Sequence, residues 1–207
     1  MNQKVAYITG GSKGIGLGVA RALLEDGYRV AISARSEKSL NEAQILLQDA
    51  KGELLGIVSN VQSLADELNA IQAVLDHWGQ LDICIANAGV GKFASIEDIT
   101  KSDWDLVIDT NLTGVFHTVK ACIDPIKESK GYIITIASLA GANFFAKGAA
   151  YNASKFGLVG FTQAIMLDLR KYGVKVSTIM PGSVATYFND RTPTEADDWK
   201  IQPEDIG

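Results

Sequence analysis

Short apolar runs rich in β-branched residues alternate with longer segments of helical period along most of the chain. Parallel strands cannot be joined by a tight hairpin and need a long crossover, usually a helix. Unbroken strand–helix alternation therefore predicts an α/β protein: a doubly wound parallel sheet with helices on both faces. The predicted strands are Val5–Thr9, Arg29–Ala34, Leu54–Ser59, Leu81–Asn87, Tyr132–Ala137 and Lys175–Met180. Between them lie predicted helices over Ile15–Asp26, Glu37–Ala50, Ala65–His77, Asp103–Lys120 and Gly148–Tyr172. Ile83-Cys84-Ile85-Ala86 is apolar on both sides, as a strand covered by helices above and below requires. Gly27 suits the end of the first helix, and Ser102 with Asp105 reads as a variant capping box at the start of the fourth.

A chain of 207 residues suits one domain with a sizeable core, here residues 1–207 as a dinucleotide-binding and catalytic unit. Hydrophobic residues make up 47% and charged residues 21%, and the net charge of −5 gives no electrostatic support for a nucleic-acid partner or an anionic membrane. The N-terminus lacks the pattern of a secretory signal, and no apolar run is long enough to span a bilayer. Cys84 and Cys122 both sit in apolar elements and read as buried free thiols, so a cytoplasmic protein is expected. With two His and no thiolate or carboxylate at ligand spacing, no metal site is expected.

The first strand delivers Thr9-Gly10-Gly11-Ser12-Lys13-Gly14-Ile15-Gly16, and a helix opens directly after it. Glycines let a backbone turn sharply and approach a pyrophosphate seated on a helix N-terminus. Tight turns also collect glycine for conformational reasons alone. The placement between the first strand and first helix of a βαβ unit makes Gly10, Ser12, Lys13, Gly14, Ile15 and Gly16 a candidate dinucleotide cradle. The second strand ends Ser33-Ala34-Arg35-Ser36, without the carboxylate that usually holds the 2′-hydroxyl of NAD. Arg35 offers a planar cationic fork for a 2′-phosphate and Lys13 a second charge, so NADP (NADPH) is favoured over NAD.

Tyr151 and Lys155 stand four residues apart near the start of a predicted helix and share one face. A free phenol titrates near about 10, and a nearby ammonium stabilises the phenolate and lowers that value. Ser138 ends the fifth strand at the carboxyl edge of the sheet, where doubly wound proteins bind ligands. Asn111 lies mid-helix beside Thr110 and Gly114, which predicts a polar role or a local kink.

In these motifs, in Asn87-Ala88-Gly89 and in Pro181-Gly182 the chain resembles the short-chain dehydrogenase/reductase family, in its compact single-domain form. The resemblance implies a Rossmann fold and hydride transfer between a nicotinamide cofactor and a carbonyl or alcohol. It implies Tyr151 as general acid and base, Ser138 polarising the carbonyl, Lys155 lowering the Tyr151 pKa and holding the ribose, and Asn111 anchoring a water for proton relay. It places the cofactor on the glycine turn, on Asn60 and Val61 at the adenine, on Asn87, Ala88 and Gly89, and on Pro181, Gly182, Val184 and Thr186 near the carboxamide. Asn60 departs from the more usual Asp there. A homodimer or homotetramer through the helices carrying Val115 and Tyr151 is also implied, as is a small-molecule carbonyl or alcohol substrate. A 3-oxoacyl-(acyl-carrier-protein) reductase is the leading specific option, and a non-catalytic NADP(H) sensor is the rival. Phe93, Phe144, Phe145, Tyr187 and Phe188 suggest a partly apolar substrate pocket.

Ser183–Gly207 is polar and aperiodic, and reads as a lid, with residues 183–200 its core, or as disorder. Relatives in this family continue through a further helix and a seventh strand, so the chain is expected to be either truncated or naturally short.

Overall fold

A computed structural model describes residues 3–188 and 192–207. Its six strands are β1 (Val5–Thr9), β2 (Arg29–Ala34), β3 (Leu54–Val58), β4 (Ile83–Ala86), β5 (Tyr132–Ile136) and β6 (Lys175–Ile179). All pair in parallel, in the order β3-β2-β1-β4-β5-β6. The order reverses direction between β1 and β4, which opens a crevice beyond their carboxyl ends.

Alternation along the strands supplies a core on each face. Val5 and Tyr7 of β1, with Cys84 of β4 and Ile133 of β5, pack on α3 (Leu64–Trp78), α5 (Gly114–Ser129) and α6 (Ala149–Arg170). Ile8, Val30, Ile32 and Ile85 face the other way, onto α1 (Gly14–Glu25) and α2 (Glu37–Leu47). Cys84 and Cys122 are buried free thiols. Among the described residues, no helix is long and apolar enough to cross a membrane.

The predicted helix over Asp103–Lys120 is corrected in three respects. It starts earlier, as α4 (Lys101–Ile108), because Thr100 rather than Ser102 is the cap: its Oγ1 accepts from Asp103 N at 3.0 Å and donates to Asp103 Oδ2 at 2.7 Å. A π-helical turn, Asp109–Thr113, interrupts it at Asn111, whose side chain is drawn away to neighbouring elements. The helix then resumes as α5 and runs through Pro125 to Ser129. A proline there costs about 3 kcal/mol, which burial of Ala121, Cys122 and Ile126 on the sheet offsets at about 1.5–3 kcal/mol for each large apolar side chain.

Sequence reading missed Glu67, which is fully buried on α3. Tyr7 and Ser59 donate to its Oε1 at 3.1 and 2.6 Å, and Thr118 donates to Oε2 at 2.8 Å. These bonds tie β1, the end of β3 and α5 to one carboxyl group.

Among the described residues of the polar C-terminal stretch, the segments on either side of residues 189–191 pair with each other. Ala185 N donates to Ile201 O at 2.9 Å, and Ile201 N donates to Ser183 O at 3.2 Å. A short α7 (Pro203–Ile206) packs on α1, where Gly18 leaves room for the Pro203 backbone. Residues 189–191, in the middle of the predicted lid, lie outside the described residues.

Burial holds the Glu67 carboxyl above its ordinary range. A raised folded-state pKa means that the stabilisation is full below the unfolded-state value of about 4.3 and is lost as pH rises through the folded value. Glu67→Ala removes the acceptor of Ser59 and one acceptor each of Tyr7 and Thr118, which keep Ser33 Oγ and Gly114 O, and is expected to cost about 1–3 kcal/mol, with a larger penalty at pH 5 than at pH 8. Urea unfolding at the two pH values checks this; an equal penalty at both would contradict the shift.

Candidate active site

The carboxyl ends of the strands border one continuous cavity of about 1170 Å³, which runs from Arg35 and Asn60 past the glycine turn to Ser138 and Tyr151. That exceeds the usual volume of about 300–1,000 Å³ for a single drug-sized ligand, so a dinucleotide and a second small molecule fit the space. Every residue predicted for the cofactor lines this cavity except Gly16.

Gly16 acts from behind the turn. A Cβ there would lie 2.5 Å from both Asn87 Nδ2 and Gly10 O, so glycine lets the turn close on Asn87. The Asn87 amide donates to Thr9 O at 2.8 Å and Gly10 O at 3.2 Å. Thr9 Oγ1 in turn accepts from the backbone N–H groups of Asn87 and Ala88 at 3.0 and 3.1 Å. These bonds weld β4 to the β1 turn at the switch point. Gly10 adopts φ +64°, a left-handed conformation that side chains resist. The α1 N-terminus has no side-chain cap and no acidic residue in its first turn, which leaves its N–H groups and dipole open to an anion.

At the far end of the cavity Arg35 is exposed, and no carboxylate lies in an ion pair with it among the described residues. Ser36 caps α2 with a bond from Ser39 N at 3.3 Å, and the two hydroxyls lie 2.7 Å apart. Ser36 and Ser39 line the same end of the cavity and were not singled out from sequence; a serine at the N-cap after Arg35 was the available signal. One cation and two hydroxyls beside a helix N-terminus suit a phosphate monoester. The opposite wall is Asn60 and Val61. Asn60 Oδ1 accepts from Gln62 N at 3.2 Å, and Val61 is buried.

Near the other end, Ser138 caps the turn after β5 by accepting from Ala140 N at 3.2 Å. Tyr151 and Lys155 rise from the first turns of α6. Burial raises the Tyr151 phenol above its ordinary value, and a hydrogen bond with Ser138 opposes that shift. Burial lowers Lys155 to about 8, so it still carries most of its charge at neutral pH. Its Nζ donates to Ile136 O at 2.8 Å and stands 5.8 Å from the centre of the Tyr151 ring. Burial is thus the larger influence on Tyr151, and Lys155 is directed at a backbone carbonyl.

Asn111 is wholly buried and does not line the cavity. Its Oδ1 accepts from Val90 N at 2.8 Å; its amide donates to Val90 O at 2.9 Å and Ser154 Oγ at 3.1 Å. It thereby couples the loop after β4 to α6. Asn152, another residue missed from sequence, donates to Ala140 O and Asn143 O at 2.9 Å each and locks the Ser138 loop to α6. Pro181, Gly182, Val184 and Thr186 form the wall after β6, with Asp197 and Lys200 beyond them. Phe93, Tyr187 and Phe188 line the cavity, whereas Phe144 is 88% exposed and takes no part in it.

The profile of the family described as short chain dehydrogenase matches residues 4–197, and the chain belongs to that family. A 3-oxoacyl-(acyl-carrier-protein) reductase of Staphylococcus aureus is 36% identical over 195 residues, or 93% of this chain and 79% of the relative. An alcohol dehydrogenase from the archaeon Thermococcus sibiricus, solved with 5-hydroxy-NADP, is similar at a TM-score of 0.94 and 30% identity, over 99% of this chain and 87% of that one. A 3-ketoacyl-(acyl-carrier-protein) reductase from Brucella melitensis, solved with NADH, is similar at a TM-score of 0.89 and 27% identity, over 98% of this chain and 87% of that one.

Gly16→Val forces the turn away from Asn87. Dinucleotide affinity, measured by fluorescence titration, is expected to fall at least about tenfold, the equivalent of about 1.4 kcal/mol.

Proposed function

We propose that this short chain dehydrogenase is an NADP(H)-dependent oxidoreductase that interconverts a carbonyl and a secondary alcohol, with Tyr151 as general acid and base. The observation that carries this reading is the meeting of Ser138, Tyr151 and Lys155 at one end of a cavity whose other end is the glycine turn and Arg35. When bound, the nicotinamide supplies or accepts the hydride.

The glycine turn and the α1 N-terminus hold the pyrophosphate, while Arg35, Ser36 and Ser39, with Lys13 nearby, hold a 2′-phosphate. Asn60 and Val61 bound the adenine. Val184 and Thr186, after Pro181-Gly182, face the nicotinamide. In reduction the Tyr151 hydroxyl gives its proton to the carbonyl oxygen, and in oxidation the phenolate takes it back. Ser138 Oγ donates a hydrogen bond to the same oxygen and favours the charge that builds there. A buried phenol resists ionisation, so the Lys155 cation stabilises the phenolate as it forms, while Nζ holds the ribose hydroxyls. Asn111 anchors the water path through which Lys155 reaches solvent, and Asn152 keeps Ser138 in reach of Tyr151.

Residues 183–188 and 192–200 form the substrate lid, and the outer faces of α5 and α6, with exposed Phe116 and Phe156, form the subunit contact of a homodimer or homotetramer. The S. aureus relative supports a narrower second reading, reduction of a 3-oxoacyl thioester.

Tyr151→Phe removes only the transferable proton. NADPH affinity is expected to stay within about twofold, while turnover falls at least about 10²-fold. Turnover near that of the parent would overturn the mechanism. Arg35→Asp exchanges a phosphate-binding cation for a group that accepts the 2′-hydroxyl. The NADPH/NADH ratio of kcat/KM is expected to drop at least about tenfold, and an unchanged ratio would remove Arg35 from cofactor selection.

A further inference from the structure

We infer that the substrate is a ketone bearing an apolar, ring-sized group, selected by an aromatic wall of Phe93, Phe145 and Phe188 around Tyr151; this rests on the oxidoreductase reading above. The rings come from four separate places in the chain: the loops after β4 and after β5, the start of α6, and the segment after β6. Phe93 meets Tyr151 edge-on at 5.5 Å and 68°, and Phe188 meets it at 5.6 Å and 61°. Phe93 also contacts Phe188 at 6.5 Å and Phe145 at 5.8 Å. Edge-on contacts of this kind suit aromatic rings that pack as a group.

The wall is not a sealed core. Phe93 is 38% exposed and Phe145 46%, and both Phe93 and Phe188 line the cavity. Apolar surface left open around a proton-transfer group is what an apolar ligand would cover. The backbone is shaped to allow it. Gly91 is buried behind the rings, and a Cβ there would lie 2.6 Å from Phe188 and 3.1 Å from Phe93. A hydroxyl-rich substrate laid against these faces would lose its hydrogen bonds to water and gain none from the phenyl rings. Charge offers it little in return. Of the cavity's cations, Lys13 and Arg35 lie toward the other end, Lys155 donates to Ile136 O and Lys200 is paired with Asp197, which leaves Lys92 as the cation through which a keto acid could compete.

The test is kcat/KM for the purified full chain with NADPH across five ketones. They are a phenyl-substituted propanone, cyclohexyl methyl ketone, a ketopentose, a linear keto acid and an acetoacetyl thioester. The two ring-bearing ketones are expected to exceed the other three by at least about tenfold. Phe93→Ala should narrow that gap about tenfold, while Phe93→Leu, still apolar, keeps most of it; in both, NADPH affinity stays within about twofold, which shows that the fold and cofactor site survive. Turnover that favours the ketopentose, the keto acid or the thioester overturns the inference and leaves the oxidoreductase reading standing. A gap that Phe93→Ala does not change also overturns it. NADPH binding with no turnover of any ketone overturns the oxidoreductase reading itself, and this inference with it.

Discussion

All six strands run the same way, so every strand-to-helix connection emerges at one edge of the sheet, and everything else about the site follows from that. The constraint acts most sharply between β1 and β4, where the strand order changes direction and helices leave on opposite faces. A crevice there cannot be closed by the sheet's own helices, because one leaves above and the other below. Thr9 and Asn87 span the opening with a set of hydrogen bonds that use the backbone of both strands. The glycine turn is thus held at a fixed distance from the loop after β4, and the cavity has a rigid floor.

The site end of the cavity depends on buried polar side chains that never touch it. Asn111 spends its amide hydrogens on Val90 and Ser154 and Asn152 spends its own on the loop after β5, and together they fix α6 against the loops after β4 and β5. A buried amide left without partners would cost free energy, so each residue admits one arrangement of those loops. Glu67 does the same behind Ser59 of the cavity lining, joining three hydroxyls from three elements. Tyr151 and Lys155 are consequently presented by a helix that cannot easily rotate. Their burial also sets their electrostatics: it disfavours charge on both, raising the phenol and lowering the ammonium.

Much of this was legible in the chain. Short apolar, β-branched runs and helical periodicity located the strands and most helices to within a few residues, because covered parallel strands must be apolar on both faces. Gly10, Arg35, Ser138 and Tyr151 could be placed at the sheet edge because each follows or ends a predicted strand or opens a helix. The helix boundary near Thr100 was misread, since Thr100 and Ser102 are both plausible caps and only the backbone geometry selects between them. Asn111 was noticed for being a poor helix former, and the π-turn there shows why: its side chain serves other elements. Glu67 and Asn152 gave no signal, since a Glu or Asn on a helix usually faces water.

Local pattern by itself determined the strands, the helices, the glycine turn and the absence of a carboxylate after β2, because these depend on neighbours a few residues away. Which polar residues turn inward, how far Lys155 stands from Tyr151, and that the rings of Phe93 and Phe188 pack on one phenol were decided only by the tertiary structure. The reason is physical: burial and partner geometry are properties of elements packed across the sheet, and residues such as Phe93 and Phe188 are separated along the chain by nearly half its length.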